Sequence, residues 1–232
     1  MTQVVYYGSW DNIFSYDIEP LASHFANNIF AVKDPNHQVS QCPAVKEYLK
    51  NVFIVKSTYQ YDFNWTGSDI ASTMYNQKFF NNYIIARNVN TGLLSYTGNT
   101  PVFISESNDL NMSLENPYLH DNDISRNLYV IPGKFNIGKH IPRPLELSCK
   151  FKKLGSVQIN EGDALFYVRF YTQEKIIFKK FIFSEAHKSV TSKYLENKDY
   201  TKGIKPLQWW YDLVSRHNLK KHFLREIKNN LL

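Results

Sequence analysis

His120-Asp121-Asn122-Asp123 sets an imidazole beside two carboxylates, the residue types that bind iron or zinc. Such a site needs a second histidine, and His140 is the next one downstream. The His-x-acid spacing of non-haem iron sites is not met: Asp121 is adjacent and Asp123 sits one residue too far. The same residues also read as a polar turn that caps a neighbouring element through side-chain hydrogen bonds. No metal is therefore expected, and His120, Asp121 and Asp123 are the residues that would hold one.

The other reactive types are scattered. An enzyme acting on a nucleotide or small metabolite would draw on His140, Glu146 and Arg169, with the polar stretch Glu106–Asp123. Cys149 lies on the apolar side of an alternating run, where a buried, inert thiol is expected. Cys42 precedes Pro43 at a helix start, where the dipole favours a thiolate, but no local signature accompanies it. Two cysteines exclude a disulfide framework and a four-cysteine zinc site. There is no Gly-rich phosphate loop, no Gly-x-Ser-x-Gly and no His-Glu-x-x-His. Dinucleotide binding, P-loop hydrolysis, serine-hydrolase chemistry and zinc proteolysis thus lose their usual support. No cofactor is expected.

Arg216, Lys220, Lys221, Arg225 and Lys228 stand near Trp209, Trp210 and Tyr211. Basic residues with aromatics can bind nucleic acid, or lay an amphipathic helix on a protein partner or a membrane. A terminal helix docked on the body, with a solvated basic face, has the same sequence. Charge is divided unevenly along the 232 residues. Residues 1–130 hold 7 Lys and Arg against 12 Asp and Glu, a net −5; residues 131–232 hold 20 against 9, a net +11. A basic half can face phosphate, an anionic surface, an acidic partner or its own acidic half.

These residues need elements to position them. Val4–Tyr7 reads as a strand stopped by Gly8, and Glu19-Pro20 opens a short helix with Leu21, Ala22, Phe25 and Ile29 as its apolar stripe. A second helix follows Cys42-Pro43, and Phe53-Ile54-Val55 is a strand. Tyr83–Ala86, Val102–Ile104 and Leu128–Ile131 are further short strands, while Glu106–Asn127 reads as a long surface loop. Leu145, Leu147, Cys149 and Phe151 alternate with polar residues, which predicts a half-buried strand. Turns at Leu154-Gly155, Asn160–Asp163 and Thr172–Glu174 lead to strands at Val157–Ile159, Ala164–Tyr171 and Lys175–Phe183. An antiparallel meander over 143–183 is expected, with the apolar Lys175–Phe183 strand central or under a helix. Pro206 opens an amphipathic helix through Leu207, Trp210, Tyr211, Val214, Leu219, Phe223, Ile227 and Leu231, with a break possible at His217-Asn218.

Pro144-Leu145-Glu146-Leu147-Ser148-Cys149-Lys150-Phe151, with Val157 to Val168 through Glu161-Gly162-Asp163, resembles the last strands of the dUTPase and dCTP deaminase family. The resemblance covers residues 144–168. That family's Gly-x-Ile-Asp is replaced here by Gly138-Lys139-His140-Ile141-Pro142-Arg143, without the Asp. More of the chain is similar to an uncharacterised family of tailed-phage proteins: the Cys42-Pro43 helix, Phe53-Ile54-Val55-Lys56-Ser57, and the Pro144–Leu147 and Glu161–Asp163 strands. That resemblance implies a bacteriophage or its host as the source, and no mechanism.

The expectation is an α+β protein, mainly antiparallel β, as a sandwich, jelly roll or dUTPase-like β-clip. Short helices lie near the N-terminus and an amphipathic helix closes the chain. Residues 1–205 form one β-rich domain, and residues 206–232 a basic helix packed on it or on a partner. Met1–Trp10 lacks a signal-peptide pattern and no apolar run approaches about 18 residues. No transmembrane segment is expected, and the expected location is the cytoplasm of an infected bacterium or the virion. With 16 Tyr and 4 Trp to supply contacts, the expected function is non-enzymatic binding or assembly, through a protein partner or self-assembly. The alternatives are a nucleotide- or metabolite-acting enzyme and nucleic-acid binding through the basic helix.

Overall fold

The computed structural model describes residues 2–9, 16–25, 42–96, 100–139, 145–189, 191–192, 209, 212–213 and 219–232. The chain is α+β, mostly antiparallel sheet with a few short helices, and sandwich-like. Among the described residues the strands form four sheets. β1 (Thr2–Gly8) lies between β15 (Lys175–Lys180) and β8 (Val102–Ser105). A five-stranded sheet has the order β11 (Gly133–Asn136), β9 (Asn111–Glu115), β14 (Ala164–Phe170), β3 (Val52–Lys56) and β2 (Ile18–Pro20). A third runs β10 (Leu128–Val130), β12 (Leu147–Phe151), β7 (Leu93–Tyr96) and β6 (Ile84–Asn88). The fourth joins β13 (Gly155–Ile159), β4 (Tyr61–Trp65) and β5 (Ile70–Ala71). Among the described residues the helices with defined bounds are α1 (Leu21–His24), α2 (Pro43–Leu49), α3 (Gln77–Tyr83), α4 (Asp123–Asn127) and α5 (Leu219–Asn229); residues 185–189, 191–192, 209 and 212–213 are helical as well.

One core gathers side chains from all four sheets, among them Val5, Val55, Phe63, Leu94, Met112, Cys149, Phe166 and Ile176. Burial of each large apolar side chain is worth about 1.5–3 kcal/mol, so this shared interior holds the sheets together. β14 is its spine. Phe166, Val168 and Phe170 face the shared core, while Tyr167 on the other face packs with Leu21, Leu49 and Ile54 under α1 and α2. The alternation expected for β14 is therefore present, and so is that of β12, whose Leu147, Cys149 and Phe151 are buried.

The 143–183 meander is not formed. All four strands exist, but each belongs to a different sheet and pairs with a strand distant in sequence: β12 with β7 and β10, β13 with β4, β14 with β3 and β9, β15 with β1. Alternation reports which face is buried; it says nothing about which partner supplies the hydrogen bonds. β15 is likewise an edge strand rather than a central one, and its pairing with β1 is parallel. Beyond β15 the chain is met on its outer side by the C-terminal residues, through the Phe181–Leu231 bridge and the bonds from the Ile182 amide to the Asn230 carbonyl and from Leu232 to Lys180. Phe181 and Phe183 are buried with Ile227 of α5, which explains their apolar character.

The stretch read as a surface loop over 106–127 contains β9, an inner strand with Met112 and Leu114 fully buried, and α4. Leu110-Asn111-Met112-Ser113-Leu114-Glu115 has the strand period, masked by its polar partners. Gly92 closes the Val89–Thr91 turn at φ 65°, and a Cβ there would lie 2.9 Å from the Trp65 ring and 3.0 Å from Phe151; only glycine fits. Residues 206–208, 210–211 and 214–218 of the expected C-terminal helix lie outside the described residues. No helix among the described residues is long and apolar enough to cross a membrane.

Candidate functional site

The polar face of β14 carries Tyr167, Arg169 and, just past its end, Tyr171. β9 runs antiparallel beside it, with Arg169 opposite Ser113 and Tyr167 opposite Glu115. Arg169 therefore reaches Glu115 diagonally on one face. Its Nε donates to Glu115 Oε1 at 2.5 Å and its Nη2 to Oε2 at 3.1 Å. Burial alone would lower the Arg169 pKa, and the bonds to Glu115 raise it instead, so the guanidinium stays charged. The third nitrogen, Nη1, donates to the Tyr48 carbonyl at 2.6 Å, and the guanidinium lies over the Tyr48 ring at 4.4 Å.

Tyr48 comes from α2. Pro43 starts that helix, where its missing N–H costs nothing, and Leu49 anchors it on the sheet. Tyr118 belongs to the connection between β9 and α4, which folds back through bonds from Tyr118 N to Asn116 O and from His120 N to Pro117 O. Its hydroxyl donates to that of Tyr48 at 3.3 Å. On the far side, the Tyr171 hydroxyl donates to Ser113 Oγ at 3.1 Å, and Ser113 Oγ donates to Glu115 at 3.1 Å. One chain of contacts thus orients Tyr171, Tyr48 and Tyr118, with the Arg169–Glu115 pair at its centre. All three rings remain exposed, by 48, 54 and 43%.

Between α2 and the end of β14 lies an open cleft of about 650 Å³, lined by Glu47, Tyr48, Lys50, Arg169, Tyr171 and Gln173 among others. Asn51 fixes the turn whose Thr172 and Gln173 line the cleft. At φ 56° it takes a left-handed conformation that asparagine tolerates, and its side-chain amide donates to the carbonyls of Thr172 and Glu174 at 2.9 and 2.8 Å. Two smaller pockets, near Tyr61 and Tyr96, measure about 20 and 10 Å³, room for a single water at most.

Next to Tyr118, the same connection carries His120. Its Nδ1 lies 2.6 Å from the hydroxyl of buried Tyr167, and its ring stacks on His24 of α1 at 4.2 Å. Burial, with His24 as the next cause, lowers the His120 pKa to about 4. His24 in turn meets Glu19 at 3.3 Å.

The remaining sequence candidates are dispersed. Asp121 and Asp123 turn away from His120 towards Arg126, at 3.5 and 3.4 Å, and Asp123 accepts from the Gln158 amide. Asn122 caps α4 in a capping box with Ser125. The four residues are thus a capping turn. Among the described residues, no three His, Cys, Asp or Glu gather as a metal would require. Glu146 pairs with Arg87 at 2.5 Å, in the β12 sheet, away from Arg169. His140, Trp210 and Arg216 lie outside the described residues. Cys149 is buried, and burial pushes its thiol up to about 12; Cys42 is half-buried at the start of α2.

No family model, curated protein or solved structure matches the chain.

Of the basic residues on α5, Lys220 donates to the Glu106 carbonyl and to Asn108 Oδ1, both at 2.8 Å, and Lys228 pairs with Glu106 at 2.9 Å. Glu106 also accepts from Tyr6. These two lysines fasten the helix to the body, while Lys221 and Arg225 are exposed. Trp209 is half-buried. Sequence reasoning singled out Arg169 and held Glu115 and Tyr118 only within the stretch 106–123, and it missed Tyr48 and Tyr171, because their meeting depends on the β9–β14 register.

Proposed function

We propose that this chain is a non-enzymatic binding or assembly protein whose contact face is the tyrosine surface around the Arg169–Glu115 pair. The observation that carries the reading is the coincidence of exposure and fixed orientation at Tyr48, Tyr118 and Tyr171. Tyrosine buries large area at small rotamer cost and is enriched where proteins meet. A ring already held by a hydrogen bond loses even less freedom on binding.

The occupant we favour is a polypeptide surface, in the first instance a second copy of this chain. The phage resemblance would make the assembled form part of a virion or of a host-directed complex. Light scattering on size-exclusion fractions tests it. The wild type should show a mass above the 27.2 kDa of one chain as concentration rises, and Tyr48→Ala with Tyr171→Ala should stay monomeric. A wild type that remains monomeric at high micromolar concentration overturns the assembly reading.

A further inference from the structure

We infer that His24 and His120 form an acid-operated latch on the connection that presents Tyr118, so that the tyrosine surface is ordered near neutral pH and loosened in acid. The inference rests on the proposed contact face and adds its regulation.

The geometry runs as follows. Tyr167 is fully buried, and its hydroxyl accepts from the Leu119 amide at 3.1 Å. That hydroxyl has one proton to place, and the group beside it is His120 Nδ1 at 2.6 Å. A neutral His120 with its proton on Nε2 accepts it at Nδ1, so the Tyr167 hydroxyl both donates and accepts. A protonated His120 carries a proton on Nδ1 as well. It must then donate to Tyr167, whose own proton is left without an acceptor in a dry site. The second imidazole, His24, lies face to face at 4.2 Å and adds no compensating negative charge.

The groups facing His120 from the surrounding elements are mixed. Lys56 of β3 and His24 of α1 oppose a positive charge, whereas Glu19 of β2 and Asp163 at the start of β14 favour it. The two acids are offset: Glu19 is bonded to Lys56 at 3.0 Å and to His24 at 3.3 Å, and Lys56 also holds Asp17 at 3.2 Å. Asp163 Oδ2 accepts from the Asn160 amide. Acid therefore releases His120 from Tyr167, and with it the Leu119 amide. Tyr118 directly precedes Leu119 in the chain, and its ring is edge-on to Tyr167 at 5.2 Å, so its seat is lost when the latch opens.

The test is amide hydrogen exchange on the full chain at about pH 7.5 and about pH 5, corrected for intrinsic rates. An opening that frees a histidine held neutral is favoured about tenfold over that interval. The protection of Leu119 and His120 should fall by that factor in the wild type, while Val168 in β14 keeps its own. In His120→Asn, whose side-chain oxygen accepts from Tyr167 without titrating, the two pH values should differ less than twofold. Equal protection at both pH values in the wild type, or the same loss in His120→Asn, overturns the latch. A second readout needs no change at His120: the His120 ring proton resonance should titrate below the ordinary histidine range, and His24→Asn should move that midpoint up. A midpoint indifferent to His24 also overturns it. Exchange does not depend on a partner, so a flat profile leaves the tyrosine surface standing, and a failed contact face leaves the exchange result unchanged.

Discussion

Arg169 and Glu115 meet through two hydrogen bonds across the β14–β9 pair, at 2.5 and 3.1 Å, with side chains only 14 and 20% exposed. Removing one member leaves the other charged and largely desolvated, which costs more than the pair itself contributes. Arg169→Met should therefore lower unfolding stability by about 2–3 kcal/mol in urea titrations. Arg169→Lys should recover less than half, because an ammonium cannot make the two-pronged bond and also reach the Tyr48 carbonyl. A loss under about 0.5 kcal/mol for Arg169→Met would mean that the pair does not organise this face.

Acid should weaken the fold before the carboxylates titrate. His120 is depressed to about 4 in the folded chain, below its unfolded value of about 6.5. A depressed folded value means that the unfolded chain binds more protons, so stability is present above about pH 6.5 and lost as pH falls towards 4. The ring is only half-buried, and after that allowance the loss is about 1–2 kcal/mol. Thermal melts at stepped pH check it, and His120→Asn should flatten the profile between about pH 7 and pH 5.

Truncating the interior of β9 separates a strand from a surface loop. Met112 is fully buried between β14 and β11. Met112→Ala should cost about 2–5 kcal/mol, whereas a loop side chain would cost almost nothing. Denaturant midpoints decide it.

What was legible in the sequence and what was not divide on physical grounds. Burial faces were readable wherever apolar residues alternate, as at Leu147, Cys149 and Phe151 or along β14. The helices α1 and α2 were readable from Pro20 and Pro43, whereas α3 and α4 carried no such mark. Partnership was not. Val157 and Phe166 follow one another through a turn and still enter different sheets, because the pairing is set by the whole core. β9 was hidden by its Asn, Ser and Glu, the residues that build the polar face. Arg169 stood out as a cation in an apolar strand, but its partner Glu115 is 54 residues away, and nothing local joins them.

Asn51 fixes the turn that lines one side of the cleft. Asn51→Ala removes both bonds to the 172–174 turn and puts a residue that disfavours positive φ at 56°. The cost should be about 1–3 kcal/mol, and exchange in residues 172–174 should rise in the same variant. Asn51→Gly, which keeps the backbone but not the bonds, should lie between the two. If Asn51→Gly and the wild type coincide, the amide contacts are idle.

The most direct test of the contact face is a tyrosine footprint. Mild iodination of the chain at low and at high micromolar concentration, followed by peptide mapping, reports each ring separately. Tyr48, Tyr118 and Tyr171 should label several-fold more slowly in the associated state. Tyr129 on β10, 58% exposed, should label equally in both. Unchanged labelling of the three rings, or protection of Tyr129 alone, would contradict the assignment of this surface.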